Sequence, residues 1–280
     1  MAALSSICGS SADGDFLFGY RNGDAAAARR RRAHARRNVN VLEADADLCQ
    51  GLDEAVADQA RRVAIARVEE LRKGPCDFDY QNSSCPEFGL LVIRGLLTRK
   101  VEIAGGACCE LVGPGDVIRP WLECDPQSPL PMTATWSALV PSSIAVLDHK
   151  FAAAVRPWPE ISAELMNRLL LRSRWIESQF AVCQRRTVEE RVLLMLWQFA
   201  HRWGIVVPGG VTLRIPLTHQ LLAEVVGAER PTVSTALGRL KREGLVEQTR
   251  SGGRGWLLRG DPTTEFERIA SSLKQSDVQA

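Results

Sequence analysis

The stretch from Thr218 to Leu245, THQLLAEVVGAERPTVSTALGRLKREGL, constrains the fold more than any other part of the chain. Thr218 is suited to cap a first helix with its hydroxyl. Leu222, Val225 and Val226 give that helix an apolar face, and Gly227 stops it where a positive φ is needed. Ala223 stays small where two helices would cross. A second helix opens near Arg230 with Pro231 in its first turn, where a missing N–H does no harm, and its apolar side is Val233, Ala236, Leu237 and Leu240. Arg230, Thr232, Ser234, Thr235, Arg239 and Lys241 are left facing outward. The pattern is a helix-turn-helix, and its second helix has the width of a DNA major groove, with its N-terminal residues nearest the base edges.

After Gly244 the run Leu245-Val246-Glu247-Gln248, a Gly-rich tip with Arg254, and Trp256-Leu257-Leu258 read as a hairpin wing. From Arg230 to Arg259 the bases Arg230, Arg239, Lys241, Arg242, Arg250, Arg254 and Arg259 outnumber the acids Glu243 and Glu247. A chain of formal charge +2 therefore has a positive end, and a polyanion, double-stranded DNA, is its natural partner. An ordinary helical hairpin would require neither the turn glycine nor the wing.

With 280 residues, 45% of them apolar, the chain is long enough for two domains with cores of their own. No apolar run approaches the ~20 residues of a membrane span, and no secretory leader is evident, so a soluble cytoplasmic protein is expected. The eight cysteines (8, 49, 76, 85, 108, 109, 124 and 183) include no C-x-x-C pair, which speaks against a zinc knuckle or a disulfide framework. No metal and no cofactor is expected.

Residues 1–38, with RRRRAHARR from Arg29 to Arg37, have too little apolar periodicity for a core and read as a disordered basic arm. From Val39 to Lys73 the apolar spacing predicts short helices ahead of a sheet. The alternating stretches GLLVIRGLLTRKVEI, CCELVGPGDVIRPW and TATWSALVPSSIAVLD, each ended by Gly or Pro, then predict an antiparallel β-roll or barrel. Its sharpest corners are expected at Gly95 and at Gly113-Pro114-Gly115-Asp116.

After Pro157 and Pro159 the chain runs without a breaker to Gln184, which predicts one long helix. About 25 residues at 1.5 Å each span about 37 Å, longer than a small domain needs. The stripe Leu165, Leu169, Arg172, Ile176, Phe180 and Cys183 is expected to face a second copy, with Arg172 interrupting it. Thr187 and Glu190 form a capping box for a further helix closed by Gly204.

A β-roll, a long helix and a winged helix-turn-helix, in that order, resemble the cyclic-AMP receptor protein (Crp/Fnr) family of bacterial transcription regulators. The likeness covers about Val39 to Asp261 and is most specific over VGAERPTVSTALGRLKREGLV. It implies an α+β fold: a basic arm (1–38), a cyclic-nucleotide-binding-type β-roll (39–155), a dimerisation helix (156–186), a winged helix-turn-helix (187–262) and a tail (263–280). It also implies a homodimer on a pseudo-palindromic operator, with RNA polymerase as a further partner. The family's base-reading positions fall on Arg230, Pro231 and Thr235. Arg230 keeps the family's arginine, suited to guanine O6 and N7, while Pro231 and Thr235 replace a glutamate and an arginine. Thr218, His219 and Arg254 complete the expected DNA-contacting set.

The resemblance also locates a departure. Cyclic-nucleotide binders of the family use a Gly-Glu pair for the ribose and an Arg-Ser or Arg-Thr pair for the phosphate. Here Arg119-Pro120 and Pro131-Met132 stand in those places, and without an arginine a buried phosphate would lack a charged partner. Cyclic AMP or GMP is therefore not the expected effector. Arg119, Trp121 and Trp136 are candidates for lining a pocket for another, unidentified small molecule, with the tryptophans as plain core the competing reading. Scattered cysteines do not fit an iron–sulphur sensor, and thiol redox sensing at Cys108 or Cys109 competes with their being small buried hydrophobes.

Two functional classes stay open: a regulator whose roll receives a signal, and a constitutive or architectural DNA binder whose roll is a scaffold. An enzyme is not indicated. His34, His149, His201 and His219 stand in four separate segments, and no Ser–His–acid or paired-carboxylate set is suggested.

Overall fold

Strands β4 (Gly89–Arg94) and β9 (Ser142–Leu147) are apolar on both faces because both faces are covered. Leu91, Ala145 and Leu147 look toward a layer of helices, packing with Phe151, Val155, Ile161 and Leu165. Leu90, Val92, Ile144 and Val146 look the other way, onto Leu97, Trp136 and Ala138 of a second sheet. The chain is seen in a computed structural model that describes residues 37–78, 85–122, 132–249 and 255–261.

Around these strands the first sheet runs β1 (Arg37–Asn40), β2 (Ile65–Leu71), β9, β4, β7 (Val117–Ile118). The second runs β3 (Gly74–Cys76), β8 (Met132–Ala138), β5 (Leu97–Ile103), β6 (Gly106–Val112). Every described pairing is antiparallel, as the alternation predicts. Short helices α1 (Val41–Ala44) and α2 (Glu54–Arg61) precede β2.

Two expectations for this region change. Ile65, Val68 and Leu71, taken with the helical spacing, lie in β2, where backbone bonds to β1 and β9 outweigh a weak local pattern. Arg37 and Asn38, assigned to the arm, pair with Val68 and Arg67 and belong to the sheet. Residues 1–36, 79–84, 123–131, 250–254 and 262–280 lie outside the described residues, and with them the rest of the arm, Pro131, Arg254 and the tail.

Helix α3 (His149–Val155) is capped by Asp148, and α4 follows as 25 unbroken residues, Pro159–Cys183, with its proline at the start. Helix α5 (Val188–Trp203) begins at Thr187, whose hydroxyl accepts the Glu190 N–H at 3.3 Å. The Glu190 carboxylate pairs with Arg185. A hairpin not foreseen in the sequence, β10 (Gly204–Val207) and β11 (Gly210–Leu213), joins β13 (Gly255–Leu258) and β12 (Val246–Thr249) in a third sheet, ordered β10-β11-β13-β12. Among the described residues no helix is long and apolar enough to cross a membrane.

The carboxyl-terminal part is fastened to the roll. Arg202 of α5 places Nη2 2.6 Å from both carboxylate oxygens of Asp116, and Asp116 also accepts the Gly113 N–H at 2.7 Å. Gly113 has to be glycine, because a Cβ there would sit 2.8 Å from the Trp203 ring. Cys109 and Leu111 of β6 join the core of the carboxyl-terminal part.

Candidate nucleic-acid interface

The helix pair is built by its caps. Helix α6 (His219–Val226) starts where Thr218 Oγ1 accepts the Leu221 N–H at 3.1 Å. It ends at Gly227, whose φ of 63° and ψ of 49° are left-handed and let Ala228 N–H reach the Ala223 carbonyl at 3.0 Å. Two residues later α7 (Arg230–Arg242) opens with Pro231 in its first turn. Val233, Ala236, Leu237 and Leu240 are buried against α5 and α6, which fixes which face of α7 looks out.

Arg230, Pro231, Thr232, Thr235, Arg239 and Lys241 are exposed on that face, and Ser234 is half-buried. The Thr235 hydroxyl donates to the Pro231 carbonyl at 3.2 Å and that of Ser234 to the Arg230 carbonyl at 3.0 Å, so both are held by their own helix. His219 Nδ1 lies 2.9 Å from Ser234 Oγ and ties the start of α6 to α7. Burial, then Lys241 and Arg230, holds its imidazole below the ordinary histidine value. Lys241 lies over the Trp256 ring, whose Nε1–H donates to the Leu217 carbonyl.

The basic residues divide into two sets. Arg239 pairs with Glu189 of α5, and Arg259 with Glu247 at 2.7 Å. Arg230 and Lys241 pair with no acid among the described residues. Sequence reading treated all of them alike, because the acid that takes Arg239 stands fifty positions away.

The residues expected to line an effector pocket are spent otherwise. Trp136 is 6% exposed and packs edge-on against Phe78 at 5.7 Å, so it is roll core. Trp121 is half-buried against the same core. Arg119 donates to the backbone carbonyls of Phe88 and Glu87.

The stripe expected to meet a second copy is also corrected. Leu165 is 1% exposed inside its own chain, Leu169 packs on the same cluster, and Arg172 binds Glu110 of β6. Cys183 reaches the Val225 carbonyl. Ile176 and Phe180 do face outward, joined by Met166 and Leu170, with Phe180 67% exposed. The apolar positions of α4 thus form two stripes, and the expected one ran obliquely from the inner to the outer.

The six described cysteines are free thiols, and no cluster of metal-ligating side chains occurs among the described residues. Cys109 is buried, and burial followed by the nearby acid Glu224 pushes its thiol up to about 12, so it is no thiolate at neutral pH.

A model of the Crp-like helix-turn-helix domain matches residues 190–259. A global nitrogen regulator of Synechococcus elongatus is 30% identical over 88 residues, 31% of this chain and 40% of that protein. A CRP-like cAMP-activated global transcriptional regulator of Mycobacterium tuberculosis is 29% identical over 140 residues, 49% of this chain and 60% of that protein. The chain thus spans about half the length of the curated relatives it matches. Among solved structures, a CooA variant from Carboxydothermus hydrogenoformans has a TM-score of 0.55 at 20% identity, covering 84% of this chain and 98% of that one. FixK2 from Bradyrhizobium japonicum has a TM-score of 0.51 at 22% identity, covering 74% and 96%. These two likenesses extend over roll, long helix and helix-turn-helix together, and they speak to the fold.

Proposed function

We propose that the chain is a transcription regulator of the Crp/Fnr type, acting as a homodimer that reads a pseudo-palindromic site in double-stranded DNA. The observation that carries this reading is the outer face of α7. Arg230, Pro231, Thr232 and Thr235 stand exposed at its start, while the opposite face is locked into a buried core. A helix anchored along its buried face presents its outer side chains from a fixed backbone, and its first turns meet base edges. Arg230 is the specificity residue for guanine, Thr232 and Thr235 supply smaller contacts, and Lys241 with the wing binds phosphates. Thr218, at the start of α6, lies where the first helix of such a motif crosses the backbone.

The second copy packs against the outer stripe of α4, where Met166, Leu170, Ile176 and Phe180 leave apolar surface in water. Two such helices side by side would set the recognition helices about one duplex turn apart. Cyclic AMP is not the effector in this reading, since Arg119-Pro120 replaces the ribose-binding pair. The buried Trp136 and the Glu110–Arg172 ion pair beside it favour a roll that serves as scaffold or takes a different, smaller signal. RNA polymerase is the partner a regulator of this kind would contact.

The test is selection of bound sequences from a randomised duplex library by the full chain, with stoichiometry measured on the winners. Inverted half-sites bound by two chains are expected, unaffected by cyclic AMP. Enrichment of no sequence over the starting library would remove the regulator reading in favour of an architectural one.

A further inference from the structure

His219 stands in the crook between α6, α7 and β13. Ser234 has a single hydroxyl proton, and it goes to the Arg230 carbonyl at 3.0 Å. With that proton so placed, the Nδ1–H tautomer donates to Ser234 Oγ at 2.9 Å and leaves Nε2 as the site that gains or lacks a proton.

Resting on the DNA-binding reading above, we propose that His219 is a proton-linked phosphate contact: when a duplex docks, Nε2 takes up a proton from solvent and, keeping it, hydrogen-bonds through it to a phosphate oxygen. The surroundings supply both halves of the linkage. The charged groups that act on the ring are Lys241 and Arg230, both on α7; β13 contributes the neutral Trp256 ring at 6.2 Å. Neither cation is paired with an acid among the described residues, and both disfavour a third positive charge beside them. Half-burial acts in the same direction, so the free protein holds the ring neutral at pH 7.

A docked duplex brings negative charge that outweighs these influences. Its phosphates neutralise Lys241 and place negative charge against the start of α6, where the first helix of such a motif crosses the DNA backbone. The imidazolium is then the favoured form. Because the bound state has the higher pKa, the complex holds one more proton per chain than its parts. Affinity is therefore greatest in mild acid and falls as pH rises through the bound-state value. Ser234 contributes by holding the ring through Nδ1.

A phosphate contact is blind to sequence, so a random duplex of about 40 base pairs is a sufficient probe. Dissociation constants are measured from about pH 5.5 to 8 at one ionic strength, together with calorimetry in two buffers of different ionisation enthalpy. The expected result is proton uptake by the wild-type chain and affinity that weakens toward pH 8, by at most tenfold per pH unit per chain. His219→Gln should bind with an affinity that is flat in pH, and His219→Arg should be flat and tighter than His219→Gln. No proton uptake by the wild type, or a wild-type slope kept in His219→Gln, overturns the proposal. Failure to bind any duplex at any pH would instead bring down the DNA-binding reading on which it rests.

Discussion

Arg172 of α4 grips Glu110 of β6 through two parallel bonds, Nε to Oε1 and Nη2 to Oε2, each 2.8 Å long. The pair lies beside the Trp136 ring, and both side chains are largely shielded from water. Its fork geometry ties the long helix to the inner sheet of the roll. Replacing Arg172 with Leu leaves the shielded Glu110 carboxylate only Arg99, 3.8 Å away, among the described residues, and should cost about 1–3 kcal/mol of stability, read from urea unfolding. Replacing both residues with Leu should return most of that loss. If the single and double variants unfold at the same midpoint, the pair is not what joins helix to roll.

The charge division on α7 leads to a contrast between two arginines. Arg230 is free for a base, so Arg230→Ala should lower affinity for the selected site by about 1–3 kcal/mol and leave random duplex binding nearly unchanged. Arg239 is held by Glu189, so Arg239→Ala should matter less, whereas Glu189→Ala releases a cation and should strengthen random binding, most at low salt. Equal losses for Arg230→Ala on both duplexes would reassign that residue to the phosphates.

The helix pair was legible in the sequence because its determinants are local: a cap at Thr218, a left-handed stop at Gly227, a proline at the head of α7 and an apolar face on each helix. The roll was legible as a kind of architecture but not in its pairing. Strand β9 sits between β2 and β4, far from both in the chain, and no local pattern encodes that. The hairpin from Gly204 to Leu213 did carry a signal, β-branched runs on either side of Pro208-Gly209, which stood in the shadow of the helices around it. The orientation of α4 could not be read. Leu165 and Met166 are equally apolar, and only the cluster of Phe151, Val155 and Ile161 makes the first of them interior. Arg172 was a hint in plain view, since a charge within an apolar stripe marks the side where a buried partner waits.

Cys109 yields a pH prediction. Its thiol titrates near 9.0 when unfolded and is pushed up to about 12 in the fold, chiefly by burial. The native state therefore keeps a proton that the unfolded state gives up. The stabilisation is whole below pH 9 and drains away as pH climbs from about 9 to about 12. Cys109→Ser should flatten the alkaline part of the stability curve measured by denaturant titration. At neutral pH a thiol reagent should label exposed Cys108 and spare Cys109 in the native chain. Rapid native labelling of Cys109 would restore it as a redox-sensor candidate.

The two stripes of α4 make opposite predictions for one kind of substitution. Leu165 is interior, so Leu165→Ala removes core packing and should destabilise the chain by about 2–5 kcal/mol without acting directly on self-association. Phe180 is 67% exposed, so Phe180→Glu should leave the fold of one chain nearly untouched, since no described core cluster includes that ring. If the outer stripe is the contact, Phe180→Glu places a carboxylate against the same carboxylate of the second copy. The dimer should then dissociate in light scattering at concentrations where the wild type stays paired. Two half-sites would no longer be read together, so binding to an inverted repeat should fall to the level of a single half-site. A Phe180→Glu chain that remains dimeric would move the contact off this helix, and the spacing argument for paired half-sites would fall with it.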